Sequence, residues 1–188
     1  MGIDYAPVDW GDRSQFEFDD VNATKILSPS ITLEEAQQWL REKVYKGERC
    51  PCCTQMAKVY ARPILSCMAS CLIDLYKLSK KYENEFFHIS ELTKQNPFFS
   101  SRGGAFAMLR FWNFIEEKKK DQDQKGRTSG YWRITQKGCD FVLGKIKAPR
   151  RAYMYDNRLL KFDFEEFITI QDALDISFDY DEMMSGYL

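Results

Sequence analysis

Cys50 and Cys53 bracket Pro51-Cys52; Cys67 follows after thirteen intervening residues and Cys71 after three more. A knuckle that holds two thiolates, followed by two thiols offset by one helical turn, is the ligand pattern of a tetrahedral zinc ion. Cys50, Cys53, Cys67 and Cys71 are therefore the candidate zinc ligands, with Cys52 as an alternate. A second reading uses the same residues. Cys67 and Cys71 also fall on the apolar side of a helical pattern, where a reduced thiol serves as a small core hydrophobe. Redox chemistry is a third reading. Cys139 is expected in the core. His88, the single histidine, stands in the apolar run "FFHIS" and is expected to be structural rather than a ligand.

Other constellations are missing. "SRGGAF" has two glycines but neither the lysine nor the preceding strand of a phosphate-binding loop. Acid pairs such as Asp19-Asp20, Glu116-Glu117 and Glu165-Glu166 are sequence neighbours, so they face different ways on any regular element. No nucleophile motif accompanies His88. The expectation is a protein without enzymatic activity, for which zinc is the one cofactor raised.

The positioning elements come from a chain of 188 residues, 44% apolar and 15% aromatic, which is a globular composition. No apolar run reaches about 18 residues, the length that spans a bilayer. The first residues, "MGIDYAPVDWGDRSQ", lack a secretory apolar stretch. Cysteines without such a leader point to a reducing cytoplasm.

Charge is unevenly spread. Residues 1–39 sum to −6, 40–99 to +4, 100–151 to +8 and 152–188 to −7. A basic middle between acidic ends attracts polyanions, unless the ends fold back to neutralise it.

Hydrophobic period and capping signals divide the chain into four parts. Residues 1–30 read as an acidic extended arm. Residues 31–62 hold a helix opened by a Thr32/Glu35 capping box, with Leu33, Ala36, Leu40 and Val44 on one stripe, then the cysteine knuckle and a strand in "AKVYA". Residues 63–147 begin with Pro63 in the first turn of a long helix. A short strand at Phe86–Ile89 follows, then a short helix capped by Ser90, and a third helix from about Ser101 to Phe114. "NFIEEKKK" leads into a strand, "YWRIT" returns as its partner, and Thr135 caps a closing helix to about Lys147. Residues 148–188 read as a hairpin around Asp156-Asn157, a short helix opened by Thr169, and an acidic tail.

The order of long helix, short strand, short helix, turn, helix, hairpin and helix over residues 63–147 resembles the winged helix-turn-helix family. The stretch "GYWRITQKGCDFV" is similar to the second wing strand and following helix of bacterial winged-helix regulators. There the strand ends in Thr, followed by two residues and Gly, here Thr135, Gln136, Lys137 and Gly138. The chain as a whole resembles uncharacterised small proteins of bacteriophages and prophages. The fold class expected is α+β and mostly helical: a winged helix-turn-helix core, a Cys-containing knuckle before it, and a C-terminal β-hairpin with a short helix.

The resemblance implies a DNA-binding wing, which the residues also favour. Lys118, Lys119, Lys120, Lys125, Arg127 and Arg133 lie on the hairpin, and such side chains release counterions from phosphates. Lys137, Lys145, Lys147, Arg150 and Arg151 extend the surface. On the third helix, Arg102, Arg110 and Asn113 share one side with Phe106 and are the candidate base contacts. An exposed Phe106 beside arginines equally suits a protein hot spot, and the arms are rich in aromatics, so the alternative partner is a host protein that this chain binds and modulates through the same fold and its aromatic arms. The tail "DALDISFDYDEMMSGYL" is expected either to cover the basic face, within one chain or across a homodimer, or to fray.

Overall fold

The computed structural model describes residues 32–83, 85–96, 103–118 and 130–187. The chain divides at Val59/Tyr60 into two compact units. No helix among the described residues is long and apolar enough to cross a membrane.

In the first unit, α1 (Leu33–Lys43) opens on the expected capping box. The Thr32 amide donates to Glu35 Oε2 at 2.8 Å, and the Glu35 amide donates back to Thr32 Oγ1 at 3.2 Å. Both bonds satisfy amides that the helix itself leaves open. Of the expected apolar stripe only Ala36 is buried; Leu33 stands exposed. Strands β1 (Glu48–Arg49) and β2 (Met56–Ala57) then pair antiparallel, Arg49 opposite Met56, and carry the cysteines at their tip.

The second unit is built round α2 (Ser66–Lys81). Met68, Ala69, Leu72, Ile73 and Leu75 are almost wholly buried, and each large aliphatic side chain so buried contributes about 1.5–3 kcal/mol. Pro63 does not open this helix. It ends β3 (Tyr60–Pro63), an edge strand opposite Arg151, where a residue without an amide hydrogen is tolerated.

Next come β4 (Phe87–His88) and α3 (Ile89–Gln95). His88, not Ser90, caps α3: its Nδ1 accepts from the Ser90 amide at 3.3 Å. After α4 (Gly103–Phe106) the chain tightens into a 3₁₀ helix, Ala107–Trp112, and then β5 (Ile115–Glu117) and β6 (Tyr131–Ile134) pair antiparallel. β4 also pairs with β6, so the sheet order is β4-β6-β5. The helix α5 (Gln136–Val142) follows directly, capped by Thr135.

The last stretch adds β7 (Ala148–Pro149), β8 (Arg151–Tyr155), β9 (Arg158–Phe162), β10 (Phe167–Ile168), α6 (Ile170–Leu174) and α7 (Tyr180–Met184). The β8–β9 turn uses Asp156 and Asn157 at φ of 48° and 55°, the positive values a two-residue hairpin requires. β8 lies between β3 and β9. The tail does not fray. Met184 is fully buried, and Tyr180 donates its hydroxyl to the Val142 carbonyl at 2.8 Å. The whole is a mixed α+β protein with several small antiparallel sheets.

Asp74, on α2, is a weak point of this core. Burial raises its carboxyl pKa, against the opposing pull of Asn96, whose Nδ2 donates to Oδ2 at 2.7 Å, and of the Lys77 charge. A raised pKa means that the native chain holds a proton which the unfolded chain releases near pH 3.9. Its contribution is therefore most favourable below that pH and declines as pH rises through the native value. Asp74→Asn should raise the melting temperature at pH 7. The gain should vanish below about pH 4. Thermal unfolding followed by circular dichroism across pH reads both.

Candidate functional site

Two places concentrate the residues singled out by chemistry. The first is the finger made by β5 and β6. Its root is firmly built. The Thr135 amide donates to the Phe114 carbonyl at 2.9 Å, and the Thr135 hydroxyl to the Asn113 carbonyl at 2.6 Å. The same hydroxyl oxygen accepts from the Gly138 amide at 3.0 Å, which caps α5. Phe114 and Phe141 stack beneath, with centroids 4.5 Å apart. At its other end the Gly130 carbonyl accepts from the Ile89 amide at 2.8 Å, and Gly130 sits at φ 90°.

Of the predicted cationic residues, Lys118 is exposed at the end of β5, its ammonium 5.8 Å from the Tyr131 ring centre. Arg133 projects from β6 but is engaged: its Nε donates to Glu116 on the adjacent strand, and its guanidinium lies 4.6 Å from the Phe86 ring centre. Lys119, Lys120, Lys125 and Arg127 lie outside the described residues, as does Arg102.

The third helix differs from expectation. Phe106, Leu109 and Trp112 are all buried at a spacing of three, the period of the 3₁₀ helix that runs through Trp112. Phe106 is therefore core and is not an exposed hot spot. Asn113 is exposed, but it terminates the helix in the left-handed region at φ 59° and is not on its face. Arg110 is half-buried, its guanidinium 4.8 Å from the Phe111 ring centre. Arg110 and Asn113 therefore do not line one helical reading surface.

The cations after α5 are also largely engaged. Arg150 pairs with Glu166 at 2.6 Å, and Arg151 with Glu166 at 3.0 Å and Asp163 at 3.8 Å. Lys145 lies 3.9 Å from Asp140. Sequence reasoning missed Glu116 and Glu166 as neutralising partners. The first has a signal, since Glu116 and Arg133 stand opposite each other once the two strands are paired. The second depends on the β7–β10 pairing and has none.

The second place is the knuckle. Cys50 is half-buried, and Cys52 and Cys53 are exposed. The loop closes through Thr54, whose amide donates to the Cys50 carbonyl at 2.8 Å, and through the Cys50 amide, which donates to the Gln55 carbonyl at 2.8 Å. Thr54 takes φ 61°. The Cys50 thiol is lowered from its ordinary value by the neighbouring backbone of Cys52 and then of Cys53. Cys52 moves the other way, raised by partial desolvation and by the neighbouring Cys50 charge. Cys67 and Cys71 belong to the apolar core around α2. Burial, then the Asp74 charge, pushes the Cys71 thiol well above its usual value. Cys139 is raised by burial too. Among the described residues no group of three or more His, Cys, Asp or Glu side chains is placed to hold a metal ion.

No protein family, curated protein or solved structure matches this chain.

Thiol reactivity should follow this division. In the native, reduced protein, iodoacetamide should label Cys50, because the thiolate is the nucleophile and the pKa of this thiol is lowered, and should reach Cys52 and Cys53 because both are exposed. Cys71 should stay unlabelled until denaturant is added. Peptide mass spectrometry over a time course checks the order.

Proposed function

We propose that residues 63–147 act as a winged helix-turn-helix unit that binds DNA through its wing, in a phage-type regulator of the bacterial cytoplasm, without enzymatic activity. One observation carries this reading: the helix–strand–helix–helix–strand–strand order closes into the β4-β6-β5 sheet, and the sequence between β5 and β6 is rich in cations. Residues 118–129 hold five cations and two anions. The role in view is phosphate contact. Base reading is secondary, because Phe106 is core, Arg110 stacks on Phe111 and Asn113 caps. Binding of this kind tolerates many sequences and falls steeply with salt. A gel shift of the purified protein on mixed-sequence duplexes across a salt series tests it. Absence of a shift at low salt would end it.

A second reading, that the chain binds and modulates a host protein, draws on a different surface. Phe164 and Phe167 stand exposed beside β9, their ring centres 6.2 Å apart. Paired exposed aromatics are what protein interfaces use as anchors. Recovery of one stoichiometric protein from nuclease-treated bacterial lysate, lost on Phe164→Ser with Phe167→Ser, would favour this reading over the first.

A further inference from the structure

All six cysteines and the single histidine lie within the described residues, so every thiol and imidazole of this chain has a known place. Cys67 and Cys71 are spent on the core round α2, at 9% and 1% exposure. Cys139 is partly buried on α5, and His88 caps α3 through the Ser90 amide. What remains is the tip of the β1–β2 hairpin.

That tip has the form of a chelate. Pro51 fixes one backbone angle of the turn, and Thr54, at φ 61°, folds the chain back so that its amide reaches the Cys50 carbonyl at 2.8 Å. Arg49 braces the turn from outside, its Nη1 donating to the Thr54 carbonyl at 3.2 Å. The turn sets Cys50 and Cys53 three positions apart on one short loop at the end of the hairpin, Cys53 exposed and Cys50 half-buried. Two thiols at this spacing on a turn can share one ion, yet a structural zinc ion takes four ligands.

We infer that the knuckle is half of a metal site, in which Cys50 and Cys53 of one chain and the same two residues of a second copy enclose one zinc ion. A tip that offers two thiolates and lacks two is its own complement, and a two-fold axis through the ion satisfies both chains at once. Each ion bound displaces four thiol protons to solvent and leaves a centre of charge −2. The surroundings suit that charge: residues 43–58 carry four cations and one anion. Two exposed apolar side chains of the same unit, Tyr45 at 57% and Met56 at 55%, would lose solvent in such a contact. Metal here joins two chains; it does not staple one chain's knuckle to its own α2.

The test uses the full-length protein, reduced and loaded with Zn²⁺. Native mass spectrometry with elemental analysis should find one zinc per two chains, and a chelator should return the dimer to metal-free monomers. Co²⁺ in place of zinc should give the intense thiolate charge-transfer and visible bands of a tetrahedral four-sulfur site. Cys50→Ser and Cys53→Ser should each abolish both metal and dimer, with circular dichroism verifying the fold. Cys67→Ala should leave the stoichiometry at one to two. A monomer holding one zinc per chain, lost on Cys67→Ala, overturns the inference. So does reduced protein that binds no Zn²⁺, or a dimer that persists in chelator. The chelator arm needs no variant, so a misfolded substitution cannot mask the answer.

Discussion

Gly138→Ala should destabilise the second unit by about 3 kcal/mol, the upper range for forcing an atom into a packed interior. A Cβ at this position would collide with the Phe114 carbonyl oxygen and lie 3.0 Å from its carbon and 2.8 Å from Ile134 Cγ1. The nearest obstacle is backbone, so no side-chain rotation relieves it. The carbonyl cannot retreat easily. It accepts from the Thr135 amide at 2.9 Å, and Phe114 is fully buried against Phe141. The start of α5 would have to lift, breaking the bond from the Gly138 amide to Thr135 Oγ1. The melting temperature should fall by about 10 °C. Thermal and urea unfolding followed by circular dichroism reads the loss, and an unchanged midpoint would mean that α5 does not seat on Phe114.

The second large effect is on affinity. Replacing Lys118, Lys119, Lys120 and Arg127 with alanine should remove most DNA binding while leaving the melting temperature nearly unchanged. Each phosphate contact adds about 0.9 to the slope of log affinity against log salt, so four contacts account for about 100-fold between about 50 and 200 mM. The variant should lose that dependence, its slope falling by about 3 to 4. Arg133→Ala should do less, because Arg133 already shares its charge with Glu116. Fluorescence anisotropy on a labelled duplex at several salt concentrations separates the two. Equal slopes for the parent protein and the fourfold variant would remove the wing from the account.

What could be read in advance was local. Thr32 with Glu35, Thr135 before α5, Thr169 before α6 and the Asp156-Asn157 turn each solve a hydrogen-bonding or backbone-angle problem within a few residues. The two strands of the finger were visible for the same reason: polar and apolar residues alternate along "YWRI", and a polar, glycine-containing sequence precedes it. Other features were set by distant partners. Pro63 looks like a helix opener, and only pairing with Arg151 makes it the end of a strand. The third helix looked α-helical because its apolar residues are too many to fix a period. Burial of Phe106, Leu109 and Trp112 on one side settles the tighter winding, and the Trp112 indole fixes it by donating to the Pro149 carbonyl at 2.7 Å. The cationic surface was overstated for a similar reason. Counting lysines and arginines cannot show that Glu166 reaches two arginines at once.

The partner of β3 arrives late. Pro63 and Arg151 face each other across about ninety residues of intervening chain, so the ladder closes a long loop whose entropy is lost before any contact compensates. The helices round α2 and the finger draw on nearer neighbours and can assemble first. During synthesis the edge of β3 then waits, unpaired, until β8 leaves the ribosome, and that interval is when this protein is most open to pairing with the wrong strand.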